Sequence, residues 1–247
     1  MSAGLEKHLP ITRNLPGRRY DRFFFGFMAV LLLAIALVGF GRSYYLAGVF
    51  RAPLPAPILH VHGALNTAWM VLLVVQAFLI SAKRVQWHRT LGIAGFLLAV
   101  AMTGVGFVVS ADQLHRYAHD PHFDVLSFET IPFFEQVCFA VLAGASFVLR
   151  RKAAAHKRLI LLATIVMMSA AISRFPGITH DNGWLVLVGI FGLIGAMVLY
   201  DLWALHRPHP ATVFGGLLIG AYLIFAPLLG ETAGWHHFAG WMQSLNL

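Results

Sequence analysis

The sequence predicts an all-α integral membrane protein, a bundle of seven transmembrane helices. Three observations indicate this class: 59% of the 247 residues are hydrophobic, only 11% are charged, and the mean hydropathy is +0.74. Soluble chains carry about 25% charged residues, so this chain has too few charges to cover a surface that faces water. The apolar residues are spread over the whole chain, which favours one membrane domain and excludes a separate soluble domain.

Seven apolar stretches are long enough to be membrane spans, because a bilayer core about 30 Å thick needs roughly 20 apolar residues per helix. The first stretch is too long for the apolar region of a signal peptide, and no A-x-A-like cleavage site follows it. The fifth is short and ends at Ser173 and Arg174. The predicted spans are 23–40, 58–80, 91–109, 131–149, 159–173, 184–205 and 212–229, which gives a membrane domain (23–230) between an N-terminal segment (1–22) and a C-terminal segment (231–247).

The charges predict how the bundle is oriented. If the N-terminus is cytoplasmic, 14 of the 18 Lys and Arg residues and 3 of the 10 acids lie inside, so the inner side carries +11 and the outer side −3. Cytoplasmic loops concentrate Lys and Arg, and we therefore expect a cytoplasmic N-terminus and an outer C-terminus in a bacterial inner membrane. The net charge of +8 then reports insertion and attraction to anionic lipid, and no nucleic acid is expected as a partner.

Small residues in the spans predict close helix packing, since helices in lipid associate through backbone approach. Gly216 and Gly220 form such a pair in the seventh span. We interpret them as a contact within the chain, with a dimer face as the alternative.

Span two carries a polar stripe. At 100° per residue, His62, Asn66 and Gln76 share one face with Trp69 and Leu73. Polar groups in hydrocarbon need partners, so this face is expected to point into the bundle. The stripe is either a set of hydrogen bonds between helices or the wall of a ligand pocket.

Two further ionisable residues lie at the outer ends of spans four and five. Glu135 follows Pro132 by about one turn, and Arg174 ends span five. An ionisable residue inside a span indicates a functional site and requires a partner. The sequence therefore predicts a Glu135–Arg174 pair near His62, as a catalytic proton-transfer site or as a structural ion pair.

Two histidines occupy matching positions on the cytoplasmic side. His88 precedes span three and His156 precedes span five, and odd-numbered spans run in the same direction, so the two side chains are expected at the same depth. Two imidazoles on facing helices are the axial ligands that a b-type haem requires. The alternative is a pair of ordinary interfacial residues.

The outer loop between spans three and four holds the remaining candidate ligands. His115 and His119 are spaced i, i+4, and His122 follows within reach. Imidazole and carboxylate groups suit zinc, copper or iron, so these three, with His62, define a possible outer metal site. A solvated loop is the alternative.

Several classes of protein are excluded by missing motifs. The last span has no lysine for a retinal Schiff base, and the sequence has no phosphate-binding loop, dinucleotide fingerprint, hydrolase elbow or H-E-x-x-H motif. The single cysteine, Cys138, lies in an apolar span, so neither a disulfide framework nor a thiolate metal site is expected.

The stretch 41–212 resembles a group of uncharacterised bacterial multipass membrane proteins. The residues that carry the resemblance are His62, Gln76, His88-Arg-Thr-Leu-Gly, His156-Lys-Arg-Leu, Arg174-Phe-Pro and His209-Pro-Ala-Thr. The portion from His62 to Gly92 is also similar to transmembrane b-type cytochromes of the ascorbate-reducible kind.

The cytochrome resemblance implies two haems held by paired histidines on four consecutive helices. His88 and His156 would be the inner pair, and His62 one outer ligand. Span four has no histidine to complete the outer pair, so His122 or Glu135 would have to substitute.

We therefore expect a membrane-embedded protein that binds haem b and transfers electrons in a respiratory or quinone-linked pathway. One alternative is an outer-face enzyme that depends on zinc, copper or iron, with Glu135 and Arg174 nearby. The other is a non-catalytic accessory subunit of a membrane complex, in which the same polar residues are structural.

Overall fold

The computed structural model describes residues 17–53 and 55–245, and this part of the chain is helical without strands. A π-helix at Gly41–Tyr45 follows the first helix, and a 3₁₀-helix at His180–Asn182 precedes the ninth. The α-helices are α1 (Gly17–Phe40), α2 (Ala47–Phe50), α3 (Pro57–Ser81), α4 (Val85–Arg116), α5 (Val125–Phe128), α6 (Thr130–Val148), α7 (Ala153–Val166), α8 (Met168–Ile172), α9 (Trp184–Leu205), α10 (Pro210–Gly230) and α11 (Ala233–Ser244).

The long helices run up and down between two ends of the bundle. The basic end contains the turns 82–84, 149–152 and 206–209, and the far end contains the loops 117–124 and 173–183 together with α11. Short turns join α3 to α4, α6 to α7 and α9 to α10, so each of these pairs is antiparallel.

Within residues 17–53 and 55–245, six helical segments are long and apolar enough to cross a membrane, which supports the predicted multipass membrane class. They are Tyr20–Tyr45, Pro57–Ser81, Val85–Arg116, Val125–Val148, Trp184–Leu205 and Pro210–Gly230. These six correspond to every predicted span except the fifth. The span 184–205 has the predicted bounds, whereas α4 extends beyond the span 91–109 in both directions.

The predicted fifth span is divided between α7 and α8, with a break at Met167. Helix α7 packs against α1, α6, α9 and α10. Leu162, Ala163 and Ile165 are fully buried. The shortest predicted span is therefore the central element of the bundle.

The predicted terminal segments differ from the structure in two ways. Helix α1 already begins at Gly17, and the rest of the predicted N-terminal segment, residues 1–16, lies outside the described residues. The C-terminal segment folds back as α11, where Thr232 caps the helix by accepting a hydrogen bond from the backbone N–H of Trp235. Helix α11 packs against α4 and α5.

Gly216 and Gly220 lie against α9. A Cβ atom on Gly216 would be 3.2 Å from the side chain of Ile194, and one on Gly220 would be 3.8 Å from Phe191. The two glycines therefore serve a contact within the chain, and a dimer through them stays a prediction.

A buried ion pair joins α7 to α9 at the basic end. The guanidinium of Arg158 donates to Asp201, with Nε at 2.8 Å from Oδ1, and the two residues are 2% and 1% exposed. Asp201 also accepts from the Thr212 hydroxyl at 2.5 Å and from the backbone N–H of His209 at 3.0 Å. Asp201 lies near the end of the predicted span 184–205, where α7 and α10 enclose it. Burial and the nearby Arg158 charge lower the pKa of His209.

Replacement of Asp201 by alanine is expected to destabilise the protein by about 3–5 kcal/mol, because it leaves a buried Arg158 without a partner. The unfolding midpoint of detergent-solubilised protein measures this effect. Asp112→Ala is the matched control, since the Asp112–Arg116 pair is partly exposed and little change is expected. Equal losses in the two variants would contradict the assigned role of Asp201.

Helix α1 approaches α8 most closely at Gly39. A Cβ atom there would overlap the backbone carbonyl of Ala171, whereas one on Gly26 of the same helix would meet nothing within 4 Å. The close approach lets the backbones of α1 and α8 touch.

Gly39→Ala is therefore expected to lower the free energy of unfolding by about 1–3 kcal/mol, because overpacking forces the backbones apart. A lower unfolding midpoint measures this loss. Gly26→Ala is the control, and it should be neutral or slightly stabilising because alanine favours the helix. A Gly39→Ala variant as stable as Gly26→Ala would refute the close contact.

Candidate functional site

Helices α4 and α7 bring His88 and His156 together at the basic end. Each histidine lies in the first turn of its helix, and the two ring centres are 6.3 Å apart with an angle of 80° between the ring planes. Helix α6 packs against both α4 and α7, and α3 packs against α4. The expected meeting of these two histidines is therefore present in the fold.

The last turn of α6 fixes the ring of His156. Its Nδ1 lies 2.8 Å from the Ser146 hydroxyl and 3.0 Å from the Ser146 carbonyl oxygen. Ser146 is fully buried, and its hydroxyl also lies 3.2 Å from the carbonyl oxygen of His156. An Nδ1–H that donates to the carbonyl leaves Nε2 as the free lone pair, and metal-binding histidines are oriented by such a bond.

Gln76 of α3 contacts the ring of His88. With the amide nitrogen placed toward His88, it lies 2.6 Å from Nδ1, and the amide oxygen accepts from the backbone N–H of Gly92 at 2.9 Å. In that orientation His88 carries its proton on Nε2. A ligand on Nε2 would require the amide to rotate by 180°, which gives up its hydrogen bonds to the Gly92 N–H and to the His88 carbonyl oxygen.

Aromatic rings pack between α4 and α6 near this pair. Phe96 lies two turns along α4 from His88, and Phe147 follows Ser146 directly; their rings stack with centres 4.0 Å apart. The guanidinium of Arg150 lies 4.4 Å above the ring of Phe147. The His88–His156 pair thus has apolar rings on one side and basic residues on the other, at the end of the bundle.

The polar stripe of α3 faces the bundle in its middle part. Trp69 and Leu73 are buried, and the indole N–H of Trp69 donates to the Thr164 hydroxyl of α7 at 3.1 Å. Asn66 donates to the backbone carbonyl of His62 at 2.8 Å, within its own helix. The Nδ1 atom of His62 is buried and has no hydrogen-bond partner in the described part of the chain.

Glu135 and Arg174 do not form the ion pair that the sequence predicted. The carboxylate of Glu135 accepts from the hydroxyl of Ser169 and, at 3.3 Å, from that of Tyr222. Arg174 donates to the carbonyl oxygen of Ala170 and lies 4.9 Å above the ring of Phe40. Two hydroxyl groups therefore form the hydrogen bonds of the buried carboxylate, and the charge of Arg174 acts on it from beyond ion-pair distance.

The outer histidines do not converge in the described residues. Nδ1 of His115 lies 2.8 Å from the carbonyl oxygen of Ala111 in its own helix, and His119 and His122 lie in the exposed loop that follows. Across residues 17–53 and 55–245, no group of three His, Cys, Asp or Glu side chains could hold a metal ion. The outer metal site stays a prediction without a geometric counterpart in that part of the chain.

Sequence reasoning missed several residues that complete these contacts. Ser146, Ser169 and Tyr222 look like ordinary members of apolar spans, although each is a polar group that must find a partner in the bundle. Glu129, which lies just before the predicted span 131–149, is fully buried. A carboxylate only two residues before an apolar stretch was the available signal.

Comparison with known proteins gave no matching family, no matching curated protein and no matching solved structure.

Proposed function

We propose that the protein spans a bacterial inner membrane seven times, binds a b-type haem between His88 and His156 and transfers single electrons. The observation that carries this proposal is the distance of 6.3 Å between the two imidazole centres, at the same end of two helices that start from the same side. No other two histidine rings among the described residues are in such contact.

The seventh span is α7 together with α8. These helices cover residues 153–172, which matches the roughly 20 residues that a bilayer core requires. Because other helices surround α7 and α8, their side chains face protein instead of lipid. Their lower hydropathy therefore adds little to the free energy of placing them inside the membrane. With seven spans the termini lie on opposite sides, and the basic end faces the cytoplasm under the positive-inside rule.

The donor set is compatible with a haem iron, because two imidazoles would be its protein ligands. His88 and His156 would hold the iron, and their ring centres lie 6.3 Å apart. Two imidazoles alone do not make a zinc site, which takes three or four protein ligands.

The roles of the surrounding residues follow from their contacts. The Ser146 carbonyl orients His156, and the Gln76 amide would orient a ligating His88 once it rotates away from the Gly92 N–H. Phe96 and Phe147 exclude water from the α4–α6 contact. A bound haem supplies one-electron chemistry, and a quinone or a neighbouring subunit of a membrane complex is the expected electron partner.

Protein purified in detergent from haem-replete cells is expected to show a Soret band and, after dithionite, a sharpened α-band. His88→Ala and His156→Ala should each abolish the bound haem, because either change removes an axial ligand. His119→Ala is the matched control, since His119 is exposed on the far-end loop, and it should retain the full spectrum.

A colourless wild-type preparation that takes up no added haem would refute the proposal, and His88 and His156 would then be a contact between helices. Retention of the spectrum in both alanine variants would refute the assigned ligands. The unfolding midpoint of each variant separates loss of a ligand from loss of the fold.

Gln76 and Ser146 are expected to differ as positioning residues. Gln76→Leu removes the group that orients His88 and should lower haem affinity by about 10–100-fold. Ser146→Ala should have a much smaller effect, because the Ser146 carbonyl still accepts from His156. Haem titration and the reduction potential measure both variants, and an equal loss would contradict these roles.

A further inference from the structure

Glu129 is a buried carboxyl group without a hydrogen-bond partner. Its exposed fraction is 0%, and neither carboxylate oxygen has a partner in the described part of the chain. It lies between α5 and α6, where the helical hydrogen bonds continue from Val125 through Glu129 to Phe133. Val125, Glu129 and Phe133 therefore share one helical face.

That face points into an apolar cluster below α11. Val125 packs with Ala111 and Leu114 of α4 and with Trp235 of α11, and Phe133 lies against Trp235 with ring centres 5.4 Å apart. The indole N–H of Trp235 donates to the carbonyl oxygen of Leu126 at 2.6 Å, which holds α11 over this region. Glu129 occupies the position between two residues of this cluster.

The charged groups around the cluster are engaged elsewhere. On α4, Arg116 pairs with Asp112, and at α11 the ring of His236 contacts Ser127 and the Gly230 carbonyl. Before α5, Asp124 accepts from Ser127, and this hydrogen bond lowers the pKa of Asp124. At the end of α10, Glu231 is exposed. The polar neighbour of Glu129 is the buried hydroxyl of Ser110.

An ionised carboxylate without a charged or hydrogen-bonding partner is too costly to persist in an apolar interior. We infer that Glu129 is a proton-binding site in the far half of the bundle, covered by α11, with its carboxyl group neutral in the closed form. The chemical ligand is the proton itself, and displacement of α11 opens the site to the far side. This site does not depend on haem binding.

An apolar groove gives a reagent access to this region from the lipid. It has a volume of about 300 Å³ and is lined by Phe107, Ala111, Phe133, Phe238 and Met242 among others. The apolar carbodiimide dicyclohexylcarbodiimide reacts with protonated carboxyl groups in such surroundings. The carboxyl proton moves to a carbodiimide nitrogen, the carboxylate oxygen bonds to the central carbon, and an acyl shift to nitrogen leaves a stable adduct that retains the whole reagent.

The test is mass spectrometry of the intact protein in membranes after treatment with this carbodiimide at neutral pH. We expect one adduct at Glu129, its loss in Glu129→Gln and its retention in Glu231→Gln, because Glu231 is exposed to water outside the apolar cluster. Labelling should slow as the pH rises. Trp235→Ala should change the rate by loosening α11, and the infrared carbonyl band of a protonated carboxyl should disappear in Glu129→Gln.

Failure to label Glu129 in both the wild type and Trp235→Ala, together with no infrared difference, would overturn the inference. A strong loss of stability in Glu129→Leu would also overturn the inference. A neutral carboxyl in an apolar cluster can be replaced by leucine at little cost, whereas an ionised carboxylate with a structural role cannot. The Soret band of the same preparations reports the haem separately, so failure of one proposal is distinguishable from failure of the other.

Discussion

The central position of α7 and α8 is the constraint on which the rest of the structure depends. The long helices α1, α3, α4, α6 and α9 each contribute at least one polar contact to these two short helices. The contacts are Lys157 with Asp21 of α1, Thr164 with Trp69 of α3, His156 with His88 of α4, Ser169 with Glu135 of α6 and Arg158 with Asp201 of α9. In lipid, apolar burial does not distinguish one helix face from another, so these contacts determine how the helices are arranged.

The spans were predictable from hydropathy where a helix faces lipid. Such a helix must be apolar over its whole length, and six of the seven predicted stretches correspond to long apolar helices. The stretch 159–173 was the difficult one for the same reason. A helix enclosed by protein is free to carry Arg158, Thr164 and Ser169, because neighbouring side chains satisfy these groups, and its apolar run is therefore short.

The candidate sites were predictable only where topology determines the depth of a residue. His88 and His156 begin helices that enter from the same side, so their meeting required only that α4 and α7 lie close together. The pairing of Glu135 depended on which hydroxyl groups reach it, and no sequence spacing gives the positions of Ser169 and Tyr222. The burial of Glu129 depends on α11, a helix that follows the last span and packs against α4 and α5. The hydropathy of the sequence does not show that α11 folds back over this region.

The depth of the two proposed sites bears on how they operate. His88 and Ser110 lie on the same helix, 22 residues apart, which corresponds to about 33 Å along α4 at 1.5 Å per residue. This is close to the full thickness of a bilayer core. The proposed haem site at His88 and the proposed proton site at Glu129 are therefore separated by about one bilayer thickness along the bundle.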